Sequence, residues 1–342
     1  MDGELKMGNK LYENLIEEIN ENGEAKVLTV VSNNENFGKR IVINKGSTDE
    51  FLKTIINEID LNSGTSLYKI GNEEVFFENI AGKPKLIICG GGHIALPLSI
   101  MGKMLEFEVV VIDNRKEFAN MERFSHVDRV ICEDFEEALN KENVNGNTYI
   151  VIVTRGHKDD KKCLKKVLRT NHKYLGMIGS RGKVAITFNS LKEEGYTQEE
   201  LDTVYSPIGL KIGAQTPEEI SVSIFAEIIK VKNEKLWCNI EDKILNKISS
   251  EKEDMVLATI IEKKGSSPRG IGAKMLVLKD GSFIGTVGGG SVENAVYEKA
   301  KELIKLKKSH VESYNLSNSK ASTLGMICGG TVRVFFEYIK VQ

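Results

Sequence analysis

The sequence predicts an α/β protein: a doubly wound parallel sheet flanked by two related α/β halves, the N-terminal one degenerate. Three observations carry this. Lys85–Cys89 is a short β-branched apolar run that ends in Gly90, Gly91 and Gly92, followed by a helical pattern over Leu96, Ser99, Ile100, Lys103 and Met104, and then by a second apolar run, Val109–Ile112, closed by Asp113. Strand, glycine turn, helix, strand and acid are in register, and G-x-G-x-x-A with an acid about 20 residues on is the dinucleotide-binding, Rossmann-like pattern. Finally, GTVRVFFEYI at Gly330–Ile339 aligns without a gap with GNEEVFFENI at Gly71–Ile80, and GAKMLVLKDGS at Gly272–Ser282 resembles GKRIVINKGS at Gly38–Ser47.

The chain reads as three segments, 1–82, 83–235 and 240–342. In the first, Leu11–Glu21 is an amphipathic helix, Lys26–Ser32 and Gly38–Asn44 are strands, and Thr48–Ile59 is a helix capped by Thr48 or Asp49. Glu73–Ile80 is a strand leading to Pro84. In the second, the pattern continues with strands at Val127–Cys132, Thr148–Thr154 and Tyr174–Ile178, and helices at Asp159–Thr170 and Lys183–Glu194, the last closed by Gly195. Thr216-Pro217-Glu218-Glu219 has the form of an N-cap, a first-turn proline and first-turn acids, opening a helix that runs to about Lys232. The third segment begins after a linker at Asn233–Asn239, and its strand Val256–Glu262 resembles Val27–Ser32.

Composition bounds the function. The chain has 342 residues, 41% hydrophobic and 28% charged, with a net charge of −2. Nothing here points to nucleic acid or an anionic membrane. No apolar run approaches the ~18 residues that a membrane span needs, and the N-terminus has no signal-peptide core. The five cysteines, Cys89, Cys132, Cys163, Cys238 and Cys328, lack C-x-x-C spacing. An odd, dispersed set reads as reduced thiols in the cytoplasm and not as a disulfide framework or structural zinc site.

The chemistry sits in glycine-rich turns. Gly90 allows a tight turn, Gly92 lets a phosphate approach the backbone, and the helix start beyond them offers amides and partial positive charge to an anion. Asp113 is placed to accept from a ribose hydroxyl and would favour NAD over NADP, because a carboxylate repels a 2′-phosphate. His93, His157 and Arg181 follow predicted strand ends, where open α/β sheets bind ligands. In the third segment, Gly265-Ser266-Ser267-Pro268-Arg269-Gly270 offers amides, two hydroxyls and a planar cation. Gly288, Gly289 and Gly290 open a helix whose Glu293 either caps its own N-terminus or reaches a ligand. Cys328, before Gly329 and Gly330, is a thiol in a glycine turn, with a lowered pKa open to it. Each loop alone reads equally as a tight turn.

GSSPRGIGAKMLV, GTVGGGSVE and MICGG resemble the signature of the xanthine dehydrogenase accessory factor (XdhC/CoxI) family. Lys85–Asn114, Thr154–His157, Ile178–Arg181 and Pro207–Gly213 are similar to that family's Rossmann domain. The resemblance implies binding of the molybdenum cofactor (molybdopterin), protection of its sulfurated form and delivery to an apo-molybdenum hydroxylase of the xanthine dehydrogenase type, with a cysteine desulfurase as sulfur donor. It implies a cofactor-insertion chaperone more than a catalyst; the glycine-rich sites at domain edges, read separately, lead to the expectation of a homodimer. Cys328 is then the thiol for the metal or its terminal sulfur, a soft ligand, and Gly90–Ala95 and Gly265–Gly270 are seats for the phosphate. One departure stands out: the family places the signature half before the Rossmann domain, and here a degenerate copy holds that place. The alternative readings are an NAD(P)-dependent oxidoreductase using the Rossmann unit and a scaffold that binds only proteins.

Overall fold

A computed structural model describes residues 7–45, 49–234, 238–251, 253–265, 269–315 and 330–340. The chain forms two compact units, 1–82 with 235–342, and 83–234. The N-terminal and C-terminal halves thus share one unit, with the other inserted between them.

The first part of the shared unit comprises α1 (Met7–Asn22), β1 (Glu24–Val30), β2 (Arg40–Val42), α2 (Glu50–Ile56), β3 (Ser66–Ile70) and β4 (Glu73–Ala81). α2 is capped by Asp49, whose Oδ1 accepts from Phe51 N (3.0 Å) and Leu52 N (3.3 Å). It is shorter than the pattern suggests, because Asn57 already closes it. Thr48 lies outside the described residues.

The inserted unit comprises β5 (Lys85–Cys89), α3 (Ala95–Met104), β6 (Glu108–Ile112), β7 (Arg129–Ile131), α4 (Phe135–Lys141), β8 (Thr148–Ile152), α5 (His157–Val167), β9 (Tyr174–Met177), α6 (Arg181–Glu193), α7 (Gln198–Asp202) and α8 (Pro217–Lys232). Its parallel sheet has the order β7-β6-β5-β8-β9. The chain reverses direction across the sheet between β5 and β8, which is where doubly wound folds place their crevice. Both faces are covered, so β8 is buried throughout and β5 and β6 are buried but for their first residue. One face packs with Phe135, Cys163, Leu164 and Leu191, the other with Leu98, Phe107, Phe225 and Ile228. The Thr216 N-cap forms a full capping box with Glu219, and Gly195 follows α6 at φ +90°.

The chain then returns to the first unit with β10 (Cys238–Asn239), α9 (Asp242–Ser250), β11 (Met255–Lys264), β12 (Lys274–Leu278), β13 (Phe283–Gly285), α10 (Gly290–Leu306), β14 (His310–Asn315) and β15 (Thr331–Ile339). Its sheet, β13-β12-β11-β15-β14, is antiparallel. The N-terminal sheet repeats this pairing: β2, β1, β4 and β3 follow in the same sense as β12, β11, β15 and β14. Register makes the repeat residue-specific. Thr29 faces Arg40 and Phe76, and Thr259 faces Lys274 and Phe335.

Antiparallel strands with one solvated face alternate buried and exposed residues, yet Val27–Val30 of β1 and Met255–Ile261 of β11 are buried without a break. The reason is double coverage. Leu28, Val30 and Phe77 face α2, while Val27, Val31, Phe76 and Ile80 join clusters built with the C-terminal half. The same interface buries charge. Arg40 pairs with Glu337 and lies 3.8 Å from Glu78, and Lys274 pairs with Glu78. Burial pulls the Arg40 guanidinium downward, but Glu337, Tyr12 and Glu78 together outweigh it and hold Arg40 above the usual arginine range.

Removing one partner from a buried pair strands the other charge. Glu337→Ala is therefore expected to cost about 3–5 kcal/mol, read as a lower urea midpoint for the shared unit. Glu50→Ala, at an exposed pair with Lys53, should stay within about 1 kcal/mol.

Candidate functional site

Two clusters of candidate residues emerge, one in each unit. In the inserted unit the cluster occupies the carboxyl edge of the parallel sheet. Gly90 has φ +115°, and a Cβ there would lie 2.5 Å from the Val153 carbonyl oxygen. Gly91, which the sequence pattern does not single out, is just as constrained: its Cβ would sit 2.3 Å from the Phe118 carbonyl oxygen. Gly92 has open space where its side chain would be, which is the room a ligand's approach requires. Ala95 is fully buried as α3 begins. The residue before it, Ile94, gives no side-chain cap, so the leading amides of α3 keep their tendency to attract an anion.

Asp113 does not play the part expected of it. It is 1% exposed, and its carboxylate accepts from Gly91 N (2.8 Å) and from Arg115 N, Nε and Nη2 (3.0, 2.9 and 2.8 Å). Burial works upward on Asp113, but the Arg115 and Gly91 donors hold it below the usual carboxylate range. Asp113 thus locks the glycine turn and is not offered to a ribose, and the expected preference for NAD over NADP loses its basis. Arg115 also covers the Phe118 ring at 3.9 Å. Arg123 donates to the carbonyls of Gly91 and Gly92 (3.2 and 3.3 Å). These three residues were missed because their roles depend on a loop, 114–127, that has no periodicity.

His93 is exposed beyond the glycine turn, His157 is exposed at the first position of α5, and Arg181 is exposed at the first position of α6. All three stand at this carboxyl edge, as expected. The turns bearing His157 and Arg181 are tied by Asp160, which is fully buried. It accepts from Thr154 Oγ1 at 2.5 Å and pairs with Lys183 Nζ at 2.6 Å. Burial dominates and pushes Asp160 up, although Lys183 works the other way. Asp160 and Lys183 escaped the sequence reading because their pairing joins two helices.

The second cluster stands at one end of the C-terminal sheet. Lys264, the last residue of β11, pairs with Thr331, the first of β15, so Gly265 leaves the sheet where Gly330 enters it. β12 begins at that same end, four residues beyond the exposed Gly270 and next to Arg269, which is also exposed. Gly285 of β13 faces Met275 there, and Gly288, Gly289 and Gly290 follow. The three glycine-bearing connections therefore share one sheet end. Ser266, Ser267, Cys328 and Gly329 lie outside the described residues.

The Gly288–Gly290 turn decides between the two roles open to Glu293. All three glycines have positive φ, and the Glu293 carboxylate folds back onto them. It accepts from Thr286 Oγ1, Val287 N (3.2 Å) and Gly289 N (3.1 Å). Of the two roles open to Glu293, it caps its own helix, so the turn's anion seat is taken by the protein's own carboxylate. Burial works upward on Glu293, and the donors of Thr286 and the loop amides bring it below the usual range. Among the described residues no group of three or more His, Cys, Asp and Glu is arranged to hold a metal, and no helix is long and apolar enough to cross a membrane.

Residues 86–228 match the family described as the XdhC Rossmann domain, and residues 249–315 match the XdhC and CoxI family. The chain belongs to the XdhC and CoxI family. It is 30% identical over 164 residues to the uncharacterized protein YqeB of Escherichia coli, covering 48% of this chain and 30% of that one. It is 30% identical over 158 residues to a probable xanthine dehydrogenase subunit of Bacillus subtilis, covering 46% of each. The chain therefore spans less than half the length of these relatives. It is also similar, at 22% identity and TM-score 0.48, to a crystal structure of a xanthine dehydrogenase from Bacillus halodurans, over 66% of this chain and 65% of that one. Residues 7–82 lie outside both family matches; the ungapped VFFE repeat and the strand register relate them to the C-terminal half.

Two outcomes test these geometries. Gly91→Ala should destabilise the inserted unit by about 1–3 kcal/mol, whereas Gly92→Ala, with open space, should leave the thermal midpoint nearly unchanged. Glu293→Gln should cost about 1 kcal/mol at pH 7. Because the Glu293 pKa is depressed on folding from its ordinary value of 4.5, the charged form stabilises above that pH. The difference between wild type and variant should shrink as pH falls below it, followed by thermal melts across pH 3–7.

Proposed function

We propose that the chain is an accessory factor that binds the molybdenum cofactor as cargo and passes it to an apo-molybdenum hydroxylase of the xanthine dehydrogenase type. Family membership supports the accessory role. The observation that carries the cargo is the convergence of Gly265, Arg269–Gly270 and Gly330 at one sheet end. Molybdopterin ends in a phosphate, and an exposed guanidinium with side-chain-poor backbone is the chemistry that holds one. On this reading Cys328, five residues before Arg333 in the chain, supplies the soft thiolate for the metal or its terminal sulfur. A cysteine desulfurase supplies that sulfur.

An oxidoreductase reading finds less support. A Rossmann edge is present, but the acid that would mark a bound ribose is consumed by Arg115 and Gly91.

The test is to mix the chain with molybdopterin released from a molybdenum enzyme, remove free pterin, oxidise, and measure pterin fluorescence. Wild type should retain the pterin. Arg269→Ala should bind about 10- to 100-fold more weakly, the loss of one charge-assisted contact. Cys328→Ala should bind but fail to support maturation of the hydroxylase. No retained pterin in wild type, with NADH retained instead, would replace this proposal with the oxidoreductase one.

A further inference from the structure

The contacts between the two halves of the shared unit are reciprocal. Register equates Arg40 with Lys274, Glu78 with Glu337, Phe76 with Phe335, Leu67 with Val311 and, two residues before each phenylalanine, Glu74 with Arg333. Arg40 of one half meets Glu337 of the other, and Lys274 of the second meets Glu78 of the first. A residue i touching j while the equivalent of j touches the equivalent of i is the mark of an isologous, two-fold interface. At its centre, equivalent residues meet each other. Val31 and Ile261 pack with Phe76 and Phe335, flanked by Leu67 and Val311 and by Phe37 and Ile271. Glu74 and Arg333 pair directly at 2.6 Å.

We infer that residues 7–82 are a built-in partner subunit, standing on the face through which the C-terminal half would otherwise take a second copy of itself. Charge makes the pairing specific. In a pair of two C-terminal halves Arg333 would meet Arg333, whereas Glu74 meets it with the opposite sign, and like charges brought together oppose the wrong partner.

The two halves differ at the ends that carry loops. Where the C-terminal half inserts residues 316–330 between β14 and β15, the N-terminal half has the two-residue turn Gly71-Asn72. Where the C-terminal half carries Gly265–Gly270, the N-terminal half has Ser32–Phe37, whose Ser32, Asn34 and Asn36 side chains all donate to the Glu73 carboxylate. The N-terminal loop is thus closed on its own acid, and the half keeps the pairing face without the glycine-rich sequences of its counterpart.

The experiment uses the full chain. Sedimentation at micromolar concentrations should give one chain per particle, because the two-fold face is already filled. Glu74→Arg and Arg333→Glu should each lower the thermal midpoint by about 2–4 °C, and the exchange Glu74→Arg/Arg333→Glu should recover at least half of that loss without changing the sedimenting mass. Circular dichroism of each variant confirms a folded chain. A wild type that sediments as a dimer and is split by Arg333→Glu would place this face between chains and overturn the inference. So would single variants that melt with wild type, or an exchange that recovers nothing.

Discussion

A guanidinium and an ammonium taken out of water must find carboxylates, and this requirement organises the larger unit. Arg40 and Lys274 leave equivalent strands of two different halves, and each finds its acid on the opposite half. Glu78 lies 3.8 Å from Arg40 on the same half but pairs with Lys274 of the other, so the two halves share their buried charges and form one unit although more than 150 residues separate them in the chain. Tyr12 adds to this. Burial raises its hydroxyl well above the usual range and the adjacent Glu337 carboxylate raises it further, so it stays a neutral donor to that acid. The apolar clusters around these pairs contribute most of the burial, and the pairs neutralise the charge buried with them.

The inserted unit obeys a different constraint. Its strands other than the edge strand β7 are buried on both faces, and the candidate polar residues follow their carboxyl ends. There the glycine turn is held by groups of opposite kinds: Asp113 takes the Gly91 amide, and Arg123 takes the Gly91 and Gly92 carbonyls. With both polarities satisfied, the backbone is fixed before any ligand arrives, which lowers the cost of ordering on binding. Asp160 serves the neighbouring turns in the same way, through Thr154 and Lys183.

In both units a carboxylate beside a glycine turn holds a loop: Asp113, which was expected to face a ribose, and Glu293, for which a cap was one of two open readings. Asp113 and Glu293 each lie beside amides that a glycine turn leaves open, and each fills them. The physical reason is common to both: an acid a few residues from a glycine turn, or at the tip of the next strand, reaches the amides at no cost in translational freedom. A ligand must displace it or bind elsewhere.

Much of the fold was legible in the residues. Apolar run, glycine turn, helix and run again determined the parallel sheet at Lys85–Asp113, since period and turn chemistry are local. The ungapped match of VFFENI and VFFEYI determined that two halves share one pattern. The capping box at Thr216 and the Asp49 cap were equally local. What the sequence could not determine is which groups face each other. That Arg40 reaches Glu337, that Arg115 claims Asp113, and that Lys264 sets Gly265 beside Gly330 depend on contacts between segments far apart in the chain. Such contacts are decided by packing and by where buried charge can be neutralised, and only the tertiary structure fixes both.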